Sequence, residues 1–397
     1  MAPKLRLMIV AGEPSGDAHA AALVRELRDA GRELDIFGAT GPLMRAEGVE
    51  SIVNTDELSI LGLLEIGRAL PKFLQAYKQL KRAAVTKQTD AVILIDWPDF
   101  NLRLARALHR RGIKVIYYIC PQLWAWRAHR LASIKRDVDM LLTILPFERE
   151  WYAARGIEHV EFVGHPLAGE VNARFGRAEF CRRHQLDPAR PLVSLLPGSR
   201  RKELDRILPT LIEAAALVKR NRPEAQFVLV VAPSRSLEEA QAIVSNSAVP
   251  DDLKEFLRIV HHETREALAA SDSAAVASGT ATLEATLLNT PMVVVYKESA
   301  INWHTLGRLI TAEHYSLVNL IAGKQVAIEL IQNELTADRV AAELMELLEP
   351  ERNAQVRAQL KEVVEKLGRG GASRQAAQLI LAALEESPGS LEPNLQG

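Results

Sequence analysis

Apolar runs rich in Val, Ile and Leu recur along the chain, each the length of one strand and each followed by a polar or amphipathic stretch. They fall at Leu5–Ala11, Leu34–Gly38, Ala91–Ile95, Lys114–Ile119 and Met140–Leu145. Strands apolar on both faces, alternating with helical periodicity, predict a parallel sheet covered by helices on both sides. After Gly164–Leu167 the alternation restarts at Leu192–Leu196, Gln226–Ala232, Leu257–His261, Ser273–Ala277 and Met292–Tyr296. The expected fold is α/β, with two Rossmann-like doubly wound domains over residues 1–166 and 167–337, helices over 338–386 and a disordered tail over 387–397. Open α/β sheets bind ligands beyond the carboxyl ends of their strands, so a site is expected where the two domains face a cleft. Fold alone does not choose a reaction.

Composition narrows the field. The 397 residues carry 49 Lys plus Arg against 50 Asp plus Glu, a net charge of −1, which argues against a nucleic-acid partner. The two cysteines, Cys120 and Cys181, form no CxxC pair and lie near no His cluster, so neither a disulfide framework nor a structural metal is expected. The chain starts with no signal-peptide pattern, and no stretch reaches the roughly 18 apolar residues of a membrane span. A reducing, cytoplasmic setting follows.

Four strand-to-helix turns carry candidate chemistry. In AGEPSGD (Ala11–Asp17), Gly12 and Gly16 permit a tight turn beside Glu13 and Ser15, and a helix start offers free N–H groups. This is neither GxGxxG nor GxSxG, which disfavours a dehydrogenase and a serine hydrolase; a plain glycine turn with Asp17 as helix N-cap remains open. In ILIDWPDFN (Ile93–Asn101), an apolar strand ends in Asp96 and Asp99. A partly desolvated Asp96 gains basicity and suits a general base, while capping or turn formation by both acids is the plainer alternative. In LPGSRRKEL (Leu196–Leu204), Gly198 and Ser199 give a compact turn and Arg200 and Arg201 offer planar donor forks for a diphosphate; the alternative is a solvated helix start with Lys202 and Glu203 exposed. In ASGTATLEA (Ala277–Ala285), small residues Ser278, Gly279 and Thr280 open a helix N-terminus to phosphate, and Glu284 suits ribose hydroxyls, or is a surface acid.

With PQLWAWR (Pro121–Arg127), LPFE (Leu145–Glu148), GHPL (Gly164–Leu167) and LVNLIAG (Leu317–Gly323), these motifs stand in an order that resembles the bacterial lipid A disaccharide synthases over residues 5–385. The resemblance implies a B-type glycosyltransferase fold and an inverting transfer, without metal or other cofactor, from UDP-2,3-diacylglucosamine to 2,3-diacylglucosamine 1-phosphate (lipid X). It implies Asp96 as the base for the acceptor's 6-hydroxyl, Glu13 and Asn319 as further residues important to activity, and Arg200, Ser278, Gly279, Thr280 and Glu284 as UDP contacts. Gly12, Ser15, Gly16, Asp99 and Ser199 complete the expected substrate-binding set. The sequence departs from the usual pattern at Trp97, often Ala, and at Cys120, usually Ser. Similar proteins form dimers, so the helices from Asp338 onward are expected either to cross back to the first domain or to exchange with a second subunit.

Acylated substrates imply access from a bilayer. Between Leu58 and Arg82, the apolar Leu61, Leu64, Leu70, Phe73 and Leu74 alternate with Arg68, Lys72, Lys78, Lys81 and Arg82, against one acid, Glu65. Such a segment suits an inner-membrane surface bearing anionic lipid, or an ordinary core-facing amphipathic helix. The rival functions are another UDP-sugar enzyme of the same fold, an epimerase or a soluble-acceptor transferase, and a non-catalytic lipid- or nucleotide-binding protein.

Overall fold

The computed structural model describes residues 4–56, 66–124, 128–247, 249, 256–299 and 313–385. The chain divides into two compact units, residues 1–166 with 370–397, and residues 167–369. In the first, strands β1 (Leu5–Ala11), β2 (Leu34–Thr40), β3 (Glu50–Asn54), β4 (Ala91–Ile95), β5 (Lys114–Tyr118), β6 (Met140–Thr143) and β7 (Val160–Phe162) form one sheet. Its seven strands run in the order β3-β2-β1-β4-β5-β6-β7, and every pair is parallel. In the second, β8 (Leu192–Leu196), β9 (Gln226–Val231), β10 (Leu257–His261), β11 (Ser273–Ala277), β12 (Met292–Tyr296) and β13 (Glu329–Ile331) follow. They give a six-stranded parallel sheet in the order β10-β9-β8-β11-β12-β13. Both units are therefore Rossmann-like, with the chain reversing its winding between β1 and β4 and between β8 and β11.

The three strands without a sequence signal, β3, β7 and β13, all lie at sheet edges. Edge strands bury one side at most and are short, so they lack the apolar run that marks β4, which is fully buried.

Of the helical residues beyond Asp338, Ala337–Leu348 and Pro350–Lys366 belong to the second unit, and Ala372–Glu385 alone returns to the first. There Ala376, Ala377 and Ile380 join Leu23, Val24 and Leu27 of the helix Pro14–Asp29 in one buried cluster. Arg374 meets Glu26 at 3.2 Å, and Lys114 donates to the Ala383 carbonyl at 2.6 Å. The tail 387–397 lies outside the described residues.

Candidate functional site

In the first unit β1 and β4 run side by side, with Ala11 opposite Ile95, so the AGEPSGD turn and Asp96 leave the sheet together at the point where the winding reverses. Asp96 and Trp97 both have left-handed backbones, φ 49° each. Two such non-glycine residues cost on the order of 1–3 kcal/mol apiece. Three hydrogen bonds hold them: Asn101 Nδ2 donates to the carbonyls of Asp96 (2.7 Å) and Ile95 (3.2 Å), and the Tyr117 hydroxyl donates to the Asp96 carbonyl at 2.6 Å. Asn101 and Tyr117 are fully buried. Three bonds at about 1 kcal/mol each are of the size needed to offset the strain. The Asp96 carboxyl is thus delivered at the strand end on a locked main chain. Burial raises its pKa, and the Trp97 backbone N–H offsets this only in part.

Trp97 decides the shape beside it. Its ring stacks on Phe100, with centroids 4.1 Å apart and planes at 8°, and lies tilted to Phe73 at 5.8 Å. A Cβ on Gly12 would sit 2.1 Å from the ring, so glycine here serves the close approach of the indole. Gly16 has a different place from the one expected, because the helix already starts at Pro14, with Glu13 in the N-cap position and Ser15 and Gly16 inside the first turn. Asp17 is likewise not the cap of its own helix. It is buried, and its carboxylate accepts from the backbone N–H groups of Gly41 (3.0 Å), Leu43 (2.8 Å) and Met44 (3.1 Å), capping the next helix, Pro42–Ala46. Asp99, in the first turn after Trp97, forms an ion pair with Arg130.

Behind this half-site lies a polar layer that the sequence did not single out. Glu148, fully buried at the start of the helix Pro146–Ala153, accepts from Trp124 Nε1 (3.0 Å) and from the Leu145 N–H (3.1 Å). Burial pushes its carboxyl up to about 7. Cys120 Sγ lies 2.8 Å from the Tyr152 hydroxyl, which donates to the Pro121 carbonyl at 3.2 Å. The PQLW and LPFE motifs are therefore two sides of one buried latch. His165 of the GHPL motif is held at about 4 by burial and by the neighbouring His19, which follows the AGEPSGD turn.

In the second unit β8 and β11 pair with Leu196 opposite Val276, again at the winding reversal. Ser199, Arg200, Ser278, Gly279, Thr280 and Glu284 all line one pocket of about 330 Å³. Gly279 occupies the N-cap position of the helix Thr280–Leu287 with φ 154°, a backbone open to glycine, and space where a Cβ would be. The Ser278 hydroxyl donates to the Tyr315 carbonyl at 2.9 Å, so Ser278 faces the pocket as a scaffold. Glu284 is no surface acid: it accepts from Arg265 Nε at 3.1 Å. Glu203 is not a solvated residue either. Its carboxylate accepts from the N–H groups of Ser199 (3.0 Å) and Arg200 (3.2 Å) and from the Arg200 guanidinium (3.1 Å), folding the LPGSR loop around itself. The Arg200 side chain stays 81% exposed at the pocket rim. Thr264 and Pro233, which sequence reasoning missed, close the same pocket.

Asn319, expected among the residues important to activity, sits in a buried network of its own. It is fully buried; Oδ1 accepts from the N–H groups of Val326 (2.8 Å) and Ala327 (2.9 Å), and Nδ2 donates to the Ala327 carbonyl and to Glu329, each at 2.8 Å. Both lone pairs and both hydrogens are used, so no group is left for a substrate. Glu329 also accepts from the N–H groups of Tyr315 and Ser316, tying Asn319 to the loop that Ser278 holds.

Comparison with known proteins settles the family. The family model for Lipid-A-disaccharide synthetase matches residues 7–383. The chain is 40% identical over 384 residues to the lipid-A-disaccharide synthase of Geobacter metallireducens, covering 96% of this chain and 98% of that one. It is 42% identical over 377 residues to that of Koribacter versatilis, covering 94% and 96%. The chain belongs to the lipid-A-disaccharide synthase family. Among solved structures it is similar to the glycotransferase of kitacinnamycin (TM-score 0.64, 16% identity, 96% and 99% of the two chains) and to the Anabaena protein HepE in complex with UDP-glucose (0.58, 13%, 96% and 99%). The fold is that of the B-type glycosyltransferases, and as a lipid-A-disaccharide synthase family member the chain is a glycosyltransferase. The epimerase and non-catalytic readings fall with that membership.

The segment expected to face lipid is described only in part. Leu61 and Leu64 lie outside the described residues, as does the Leu70 side chain. Phe73 is half-buried against Trp97, whereas Leu74, one turn from Tyr77 on the helix Ile66–Thr86, is 51% exposed. Among the described residues no helix is long and apolar enough to cross a membrane.

Proposed function

We propose that the chain joins UDP-2,3-diacylglucosamine to 2,3-diacylglucosamine 1-phosphate, forming the β-1,6-linked disaccharide 1-phosphate and UDP with inversion at the anomeric carbon. The observation that carries the reading is Asp96: a carboxyl of raised basicity at the carboxyl end of β4, on a main chain clamped by Asn101 and Tyr117. Asp96 takes the proton from the acceptor's 6-hydroxyl as that oxygen forms its bond to the anomeric carbon, and the bond from that carbon to the UDP oxygen breaks. Arg200 and the backbone N–H groups beside Gly279 take up the charge that develops on the diphosphate. Glu284, oriented by Arg265, accepts from the ribose hydroxyls. Glu13, Ser15 and Gly16, on the turn beside Asp96, receive the acceptor. Asn319 acts through the Ser278 loop as a positioning residue.

The enzyme works at the cytoplasmic face of the inner membrane, and the basic, acid-free helix Ile66–Thr86 supports peripheral attachment there. Incubation with the two diacylated sugars, scored by mass spectrometry, yields the disaccharide. Asp96→Asn lowers turnover at least about a hundredfold while UDP still inhibits; a near-normal rate removes Asp96 from the role.

A further inference from the structure

The helices Ile66–Thr86 and Pro98–His109 enclose a groove of about 610 Å³ on the first unit. Its apolar lining is Phe73, Leu74, Tyr77 and Phe100, and its remaining lining, apart from Ala107, is Lys81 with Arg103, Arg106, Arg110 and Arg111. On one helix Leu74, Tyr77 and Lys81 recur at helical spacing; on the other, Arg103, Arg106 and Arg110 do so, which sets like charges on one face.

Among the described residues no acid neutralises the basic side chains of the groove. Among the described residues Lys81, Arg103, Arg106 and Arg110 form no ion pair, and Asp99, the only acid of the helix Pro98–His109, is taken by Arg130. The other helix, Ile66–Thr86, has no acid at all. Favourable placement of cations at a helix C-terminus accounts for Arg106, Arg110 and Arg111. It does not account for Arg103 in mid-helix, for Lys81 across the groove, or for an aromatic and aliphatic floor beneath them. A basic rim over an apolar floor matches one chemistry, an acyl chain carrying a phosphate.

We propose that this groove docks an anionic phospholipid of the membrane surface, its chain along Leu74, Tyr77 and Phe100 and its phosphate on Arg103, Arg106 and Arg110. The inference rests on the peripheral-membrane reading and deepens it: the Trp97–Phe100 stack is shared between the groove floor and the Asp96 turn, so a lipid seated there anchors the enzyme beside its reacting carboxyl.

Co-sedimentation of the full-length enzyme with phosphatidylglycerol and with pure phosphatidylcholine vesicles tests it. Wild type binds phosphatidylglycerol preferentially, and R103E/R106E/R110E binds it at least about tenfold more weakly. With detergent-dispersed substrates the variant keeps its kcat and its KM for the acceptor. The milder R103Q/R106Q/R110Q, with native near-UV circular dichroism, serves if charge reversal impairs folding. Unchanged vesicle binding by both variants overturns the groove while the membrane reading stands. Failure of wild type to bind either vesicle overturns both. A raised acceptor KM in detergent assigns the arginines to the substrate's own phosphate and overturns the phospholipid as occupant.

Discussion

Asp96, the proposed base, ends its strand on a backbone held by buried groups. Tyr117 sits fully buried in the strand Lys114–Tyr118, and its hydroxyl finds its acceptor in the Asp96 carbonyl. In Tyr117→Phe one of the three bonds that offset the left-handed backbone is lost while the core volume stays filled. We expect kcat to fall about tenfold, with KM for the UDP-sugar unchanged, because a misplaced base affects the chemical step alone. A purely structural role for the hydroxyl would lower the unfolding temperature and leave kcat as it was. Legibility at this scale was uneven. Asp96 and Glu284 stand out because an acid at the end of an apolar strand or inside an apolar helix start is costly to desolvate, and Arg200 because a planar donor fork follows a glycine turn. The full internal satisfaction of Asn319 and the cap that Asp17 gives to a distant helix had no local signal, since their partners lie 7 to 27 residues away.

Among the elements, the latch between the Pro121–Trp124 segment and the helix Pro146–Ala153 has a pH dependence of known sign. Burial raises the pKa of Glu148 to about 7, so folding disfavours its charged form. Its contribution turns unfavourable as pH rises from the ordinary carboxylate range through about 7, and the Trp124 N–H, which favours the charged form, limits that loss. Trp124→Phe removes the donor. Its unfolding temperature should therefore fall further below wild type at pH 8.5 than at pH 5.5, as measured by thermal unfolding in matched ionic strength; an equal deficit at both pH values would show that Glu148 is not ionising in the folded state. Core strands and long helices were legible at this level, and edge strands were not. Apolar periodicity reports burial, and an edge strand such as Glu50–Asn54 is recruited by its neighbour's free backbone groups rather than by its own side chains.

For the molecule as a whole, the return of the chain gives the first unit its last helix. Ile380, fully buried among Leu23, Val24 and Leu27, supplies the contact. Ile380→Ala should cost about 2–5 kcal/mol. Because the helix closes over the first unit, hydrogen exchange should speed up in residues 5–29 and 91–118 and stay slow in the β8–β12 strands; uniform loss across both units would show that the two unfold as one.

Sequence alone determined the fold class and the four strand-end motifs, because these depend on patterns spanning a few residues: period, turn chemistry and the cost of an isolated charge. The family followed from the resemblance of eight motifs in their order along the chain. Tertiary structure decided which of those residues can work. Only the packed chain reveals that Asn319 and Asp17 are held by internal hydrogen bonds, that Glu203 folds the LPGSR loop, and that arginines from a second helix face the basic segment between residues 66 and 86. Those facts depend on which groups remain unsatisfied after every neighbour has been placed, and no local pattern contains that sum.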